Sequence, residues 1–277
     1  AWAEFGNALR VADELPRAGE ALARARELAA RGTGSFPLYA RMSELLASLL
    51  TDLRRFEEAV DLLHSLANAY HKRERAGAVV RVLVQLGHVW TQANQPKLAI
   101  AAHIRALDGL RPGDRLFLPV VHTMALNFVE IGRAEVADTM IKRHQGLYRR
   151  SGKLNKFRLL WLEGKIAFAL DQFGKAEGKL QSARLAFLRV KNIYEAAMVS
   201  LDLALLLARQ ERRKELTWLI KQMLETFRSL GIARETLATL TLLRRSVEDW
   251  RSVEHLCGQI EALARLMPEL RPRSPKK

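Results

Sequence analysis

The chain has 277 residues, 49% of them hydrophobic, with 16 glycines and 8 prolines; this supports an ordered core and excludes global disorder. No run of about 18 apolar residues is present to form a membrane helix, and the single cysteine, Cys257, excludes an internal disulfide or a thiolate metal cluster and fits a reducing, cytoplasmic compartment. The formal charge of +15 is local, because thirteen Lys/Arg against three acids between Lys142 and Lys191 supply +10 of it and create a positive field over part of the surface.

Ala, Leu, Arg and Glu fill most of the length and no β-branched alternation occurs, which predicts an all-α protein. The opening "AWAEFGNALR" (1–10) has no initiator Met and no signal-peptide character, and it starts inside an amphipathic pattern. It predicts a chain that begins within a longer protein. From there one grammar repeats: a helix, a short polar turn, and a second helix with a small residue near its start. The second helices begin at "LPRAGEALA" (15–23), "RFEEAVDLL" (55–63), "QPKLAIAAH" (95–103), "RAEVADTMI" (133–141), "FGKAEGKLQ" (173–181) and "RRKELTWLI" (212–220). Their aligned residues are Ala18, Ala59, Ala99, Ala137, Ala176 and the larger Leu216, spaced by 41, 40, 38, 39 and 40 positions. Such a period in a helical sequence marks a stacked repeat array.

Each aligned residue follows another small one by twelve positions: Gly6, Ala47, Gly87, Ala125, Gly164 and Ala204. Glycine costs about 1 kcal/mol in a helix interior relative to alanine, so its recurrence at one phase predicts close helix–helix approach. Larger residues, among them Phe5, Leu46, Leu86, Trp90, Phe128, Leu63, Ile141 and Leu180, are expected to wedge between helices. The turns carry ordinary punctuation, as in "RGTGSFP" (31–37), "RPGDR" (111–115) and "RSGKLN" (150–155).

These residues resemble the tetratricopeptide-repeat family. Residues 2–25 carry its spaced Trp2, Gly6, Ala18 and Ala25, and residues 83–106 carry Leu86, Gly87, Trp90, Ala99 and Ala106. The period near 40 exceeds the family's basic 34 and is similar to the long repeats attached to bacterial regulators. Prolines at repeat ends are mostly absent, and the fifth full copy is degenerate. The resemblance implies a right-handed superhelical solenoid of antiparallel helix hairpins. The array is expected over 1–227, as hairpins at about 1–30, 37–70, 78–108, 117–149, 157–190 and 195–227, followed by capping helices (228–267) and a basic flexible tail (268–277).

Chemistry-bearing motifs are absent. There is no Gly-rich phosphate loop, HExxH or nucleophile elbow, and the seven histidines lack metal-ligand spacing. Cys257 reads as a buried structural thiol. The expectation is a non-enzyme with no cofactor, no metal and no membrane attachment. Stacked hairpins leave a groove lined by first helices, to which the repeat phase assigns Arg81, His88, His122, Asn127, Arg158, Trp161, Lys165 and Phe168 as exposed candidates. Two cations and two aromatics on the 158–168 stripe suit another protein or peptide, acidic with an apolar anchor. The same residues suit inter-hairpin packing beneath a solvated charged face. Nucleic acid is the alternative partner: Lys142, Arg143, Arg149, Arg150, Lys153 and Lys156 have the chemistry for phosphate or acidic side chains. A third reading is a homo-oligomerisation scaffold touching through an apolar rim near Trp218 and Trp250.

Overall fold

The computed structural model describes residues 1–229 apart from Asp13 and Thr33. The expected capping helices and tail beyond 229, with Cys257 and Trp250, lie outside the described residues. Twelve helices occupy the described residues: α1 (Trp2–Val11), α2 (Leu15–Arg31), α3 (Phe36–Asp52), α4 (Phe56–His71), α5 (Ala76–Gln92), α6 (Pro96–Leu107), α7 (Phe117–Glu130), α8 (Ala134–Arg150), α9 (Lys153–Ala169), α10 (Phe173–Arg189), α11 (Ile193–Arg209) and α12 (Arg213–Ser229). They fall into two compact units, Ala1–Ile131 and Gly132–Lys277, divided in the turn after α7. Within each unit every helix packs on the next in sequence: α1 through α7 in the first, α8 through α12 in the second. The all-α hairpin architecture follows the expectation, and no strand occurs among the described residues.

The turns explain how the helices reverse so tightly. After α3, the amide of Arg55 donates to the Leu50 carbonyl at 2.8 Å, and that of Arg54 donates to Thr51 at 3.0 Å. The same paired bonds close α5 at Gln95 and Asn94, α9 at Gln172 and Asp171, and α10 at Asn192 and Lys191. This is the Schellman closure, which satisfies helix-end carbonyls by placing one residue in the left-handed region. Here that residue is Arg54, Asn94, Asp171 or Lys191, with φ between 56° and 61°. The turn after α7 also holds a residue in the left-handed region, Gly132, with φ of 72°. Pro96 sits in the first turn of α6, where its missing N–H is no loss.

Within each unit the repeated small residues sit where the helices of a pair meet. Ala18, Ala59, Ala99, Ala137, Ala176 and Leu216 are completely buried, as are Ala47, Ala125 and Ala204. At Gly6 and Gly164 the reason for glycine is direct. A Cβ added to Gly6 would lie 2.8 Å from Leu22 Cγ, and one on Gly164 would lie 2.8 Å from Leu180 Cγ. Both leucines follow the aligned alanine by four positions, one helical turn on. In the third pair that position is His103, whose ring lies 2.2 Å from where a Gly87 Cβ would stand.

Aromatic residues complete the cores. In the second unit the edges and faces of Phe157 and Trp161 meet the buried Phe187, with centroids at 5.6 and 6.4 Å. In the first, Phe36 meets Tyr70 at 5.3 Å. Phe5 departs from its expected wedge role. α1 packs on α2 and α3, so Phe5 and Trp2 pair edge-on at 6.0 Å and stay about half exposed.

Candidate functional site

The first helices of successive hairpins, α1, α3, α5 and α7 in one unit and α9 and α11 in the other, are joined by a ladder of polar side chains. In the first unit Arg41 Nε donates to Glu4 at 2.9 Å, and Arg10 donates to Asp52 at 2.6 Å. Gln85 Nε2 donates to Ser48 Oγ at 3.0 Å and to the Glu44 carbonyl at 2.8 Å. Arg81 reaches Glu44 at 3.5 Å, and Asn127 Nδ2 donates to Thr91 Oγ1 at 2.9 Å. The Arg41 contact holds the Glu4 carboxyl below its ordinary range and raises the guanidinium. These rungs join residues 36 to 42 positions apart, about one repeat.

The second unit concentrates the pattern. Three donors on α9 converge on two carboxylates of α11. Arg158 Nη2 donates to Glu195 Oε1 at 2.7 Å, Lys165 Nζ donates to Asp202 Oδ1 at 2.6 Å, and the Trp161 indole N–H donates to Asp202 Oδ2. The residues reach α11 because 158, 161 and 165 lie on one stripe of α9, at i, i+3 and i+7. The two ion pairs differ in access. Lys165 and Asp202 are 13% and 8% exposed in their side chains, whereas Arg158 is 41% exposed over a largely covered Glu195.

The eight groove candidates therefore fall into two sets of four, one in each unit. In the first unit Arg81 and His88 on α5 are exposed and His122 on α7 is half-buried. Asn127, expected at the surface, is 2% exposed. It also donates to the Thr123 carbonyl one turn back, so both amide hydrogens serve the α5–α7 seam. In the second unit Arg158, Trp161, Lys165 and Phe168 are all half-buried. Phe168 leans on Phe173 at 6.1 Å, across the turn into α10.

The cations expected to await an acidic ligand thus already face carboxylates of the chain itself. Sequence reading passed over Glu195 and Asp202, which stand 37 positions beyond Arg158 and Lys165. The offset recurs in Arg41–Glu4 and Arg81–Glu44, and that recurrence is the signal that could have found them.

The basic candidates lie apart from this ladder: Lys142 and Arg143 midway along α8, and Arg149, Arg150, Lys153 and Lys156 at the corner where α8 ends and α9 begins. Lys142, Arg143, Arg149, Arg150, Lys153 and Lys156 are all exposed. Lys142 pairs with Asp138 at 2.6 Å, and Arg149 donates to Gln145 at 3.0 Å.

Among the described residues no group of His, Cys, Asp or Glu is placed to hold a metal ion, and no helix is long and apolar enough to cross a membrane. No family model matches the chain, and no curated protein matches it. Among solved structures, it is similar to the crystal structure of a Rap protein complexed with Competence and Sporulation Factor. The TM-score is 0.57 at 12% sequence identity, over 96% of this chain and 86% of that one. At that identity the likeness is one of fold: an all-helical repeat of hairpins.

Proposed function

We propose that the chain is a non-catalytic repeat scaffold that binds a segment of another protein along its first helices, as the interaction arm of a bacterial regulator in a reducing, cytoplasmic setting. The observation that carries this reading is the α9–α11 face. A rigid base, Lys165 and Trp161 on Asp202, lies beside an ion pair whose cation is still open to solvent, Arg158 on Glu195. Half-buried Trp161 and Phe168 add aromatic surface along the same helix. Buried charge on fixed partners orders a surface, while a part-exposed Arg can exchange one carboxylate for another. The fold is shared with a Rap protein whose crystal structure holds a bound factor. Ligand recognition in this reading is therefore an exchange. An acidic side chain of the incoming segment displaces Glu195 from Arg158, and an apolar neighbour covers Trp161.

The test is selection from a displayed random-peptide library on the intact chain, followed by affinity measurements on two variants. Acidic peptides with an apolar residue should be enriched. Glu195→Gln, which weakens the internal competitor, should tighten them by about three- to tenfold, and Arg158→Glu should weaken them by about tenfold or more, as expected for a charge-assisted contact. Enriched peptides whose affinity ignores both variants, or no enrichment at all, would overturn the reading.

A further inference from the structure

From the charge left unpaired at the α8–α9 corner, we infer a second interaction surface, for an acidic protein segment that carries an apolar residue. It goes beyond the first-helix face and does not depend on it. No Asp or Glu occurs from Thr139 to Leu162, while this stretch holds seven Lys and Arg. The fold spends three of them: Lys142 on Asp138, Arg149 on Gln145 and Arg158 on Glu195. Arg143, Arg150, Lys153 and Lys156 make no ion pair with any described residue. Elsewhere Arg10, Arg41, Arg55, Lys179 and Arg212 each lie against a carboxylate.

The position of the cations matters as much as their number. Arg150 ends α8 and Lys153 begins α9, with only Ser151 and Gly152 between them. The first turn of α9 contains no acid, and its N-cap, Gly152, offers no side-chain cap. Lys153 and Lys156 therefore sit where the helix dipole disfavours positive charge. The fold gains nothing from them there, and an anion laid across the corner would reverse that balance. Such a cluster raises the local concentration and arrival rate of an anionic partner.

Protein fits the corner better than nucleic acid. Leu154, between the two lysines, is 43% exposed, and Phe157 is half-buried one turn on. An exposed aliphatic side chain flanked by cations on its helix matches an acidic segment with one apolar side chain. A nucleic-acid strand would use exposed aromatic faces for its bases, and the corner offers none: Tyr148 is buried and Phe157 packs against Phe187.

The experiment is fluorescence anisotropy on the full chain with three probes: a glutamate-rich peptide with spaced leucines, the same peptide with serine for leucine, and a single-stranded DNA oligomer. The leucine-containing peptide should bind at low salt and lose about tenfold or more in affinity with Arg150→Glu/Lys153→Glu, and several-fold with the milder Lys153→Gln/Lys156→Gln. The corner variants should lower affinity by the same factor in an Arg158→Glu background, and the serine peptide should bind several-fold more weakly. Loss confined to Arg158→Glu would overturn the corner and leave the first-helix reading standing. Tighter binding of DNA than of the peptide, or affinity indifferent to both corner variants, would also overturn it.

Discussion

Replacing Gly164 by leucine is expected to cost about 3 kcal/mol of stability, at the upper end for overpacking a filled core. Even the first atom of a side chain there would stand 2.8 Å from two carbons of Leu180 and 3.3 Å from its backbone nitrogen. Leu180 is completely buried in the α9–α10–α11 core and cannot swing into solvent. Relief therefore requires α9 and α10 to separate. Thermal denaturation should show the midpoint falling by about 6–12 °C, given about 2–4 °C per kcal/mol in a chain of roughly this size. Gly164→Ala should be far milder, because about 1 kcal/mol of helix propensity offsets part of the clash. Combining Gly164→Leu with Leu180→Ala should cost less than the sum of the two, with a coupling above about 1 kcal/mol. Strict additivity would show that the close approach is not the reason for glycine.

Acid should weaken the third hairpin through His103. The residue is 2% exposed, its Nδ1 has no hydrogen-bond partner, and its ring N–H donates to the Val84 carbonyl. Burial drives its pKa from 6.5 down to about 4; the charge of His88 pushes the same way and the Val84 bond opposes both. In the unfolded chain the group takes up a proton as pH falls through 6.5, while in the folded chain it resists until about 4. Stability is therefore retained above pH 6.5 and falls across that window by about 3 kcal/mol, at about 1.4 kcal/mol per pH unit. His103→Leu should abolish this component and, by removing an unpartnered buried nitrogen, stabilise the chain at pH 7 by about 1–2 kcal/mol. The variant recreates at Gly87 the glycine–leucine contact found at Gly6–Leu22 and Gly164–Leu180. Urea titrations of both proteins between pH 7.5 and 4 measure the difference, in which the carboxylates common to both cancel. Parallel stability curves would contradict the role given to His103.

The contacts legible in the sequence were those made inside one hairpin. Gly164 and Ala176 lie twelve positions apart across a single turn, so a repeating alphabet exposes their meeting directly. The rungs between first helices were not legible in the same way. Arg158 and Glu195 are joined only once two hairpins have stacked and each long side chain has taken one of many rotamers. Asn127 shows the cost of a small phase error. Adjacent helix positions differ by about 100°, enough to turn an expected groove residue into the seam toward Thr91. Charge was legible as a total but not as a pattern. Arg158 and Lys156 look alike in the chain, and only the fold gives one a carboxylate and leaves the other at the corner.

Hydrogen exchange on the intact chain, with and without a peptide recovered by selection, locates the ligand most directly. Protection should concentrate in α9 and α11, around Arg158, Trp161 and Glu195, and should disappear in Arg158→Glu. Protection confined to the outer second helices α10 and α12, or unchanged by that substitution, would contradict binding along the first helices.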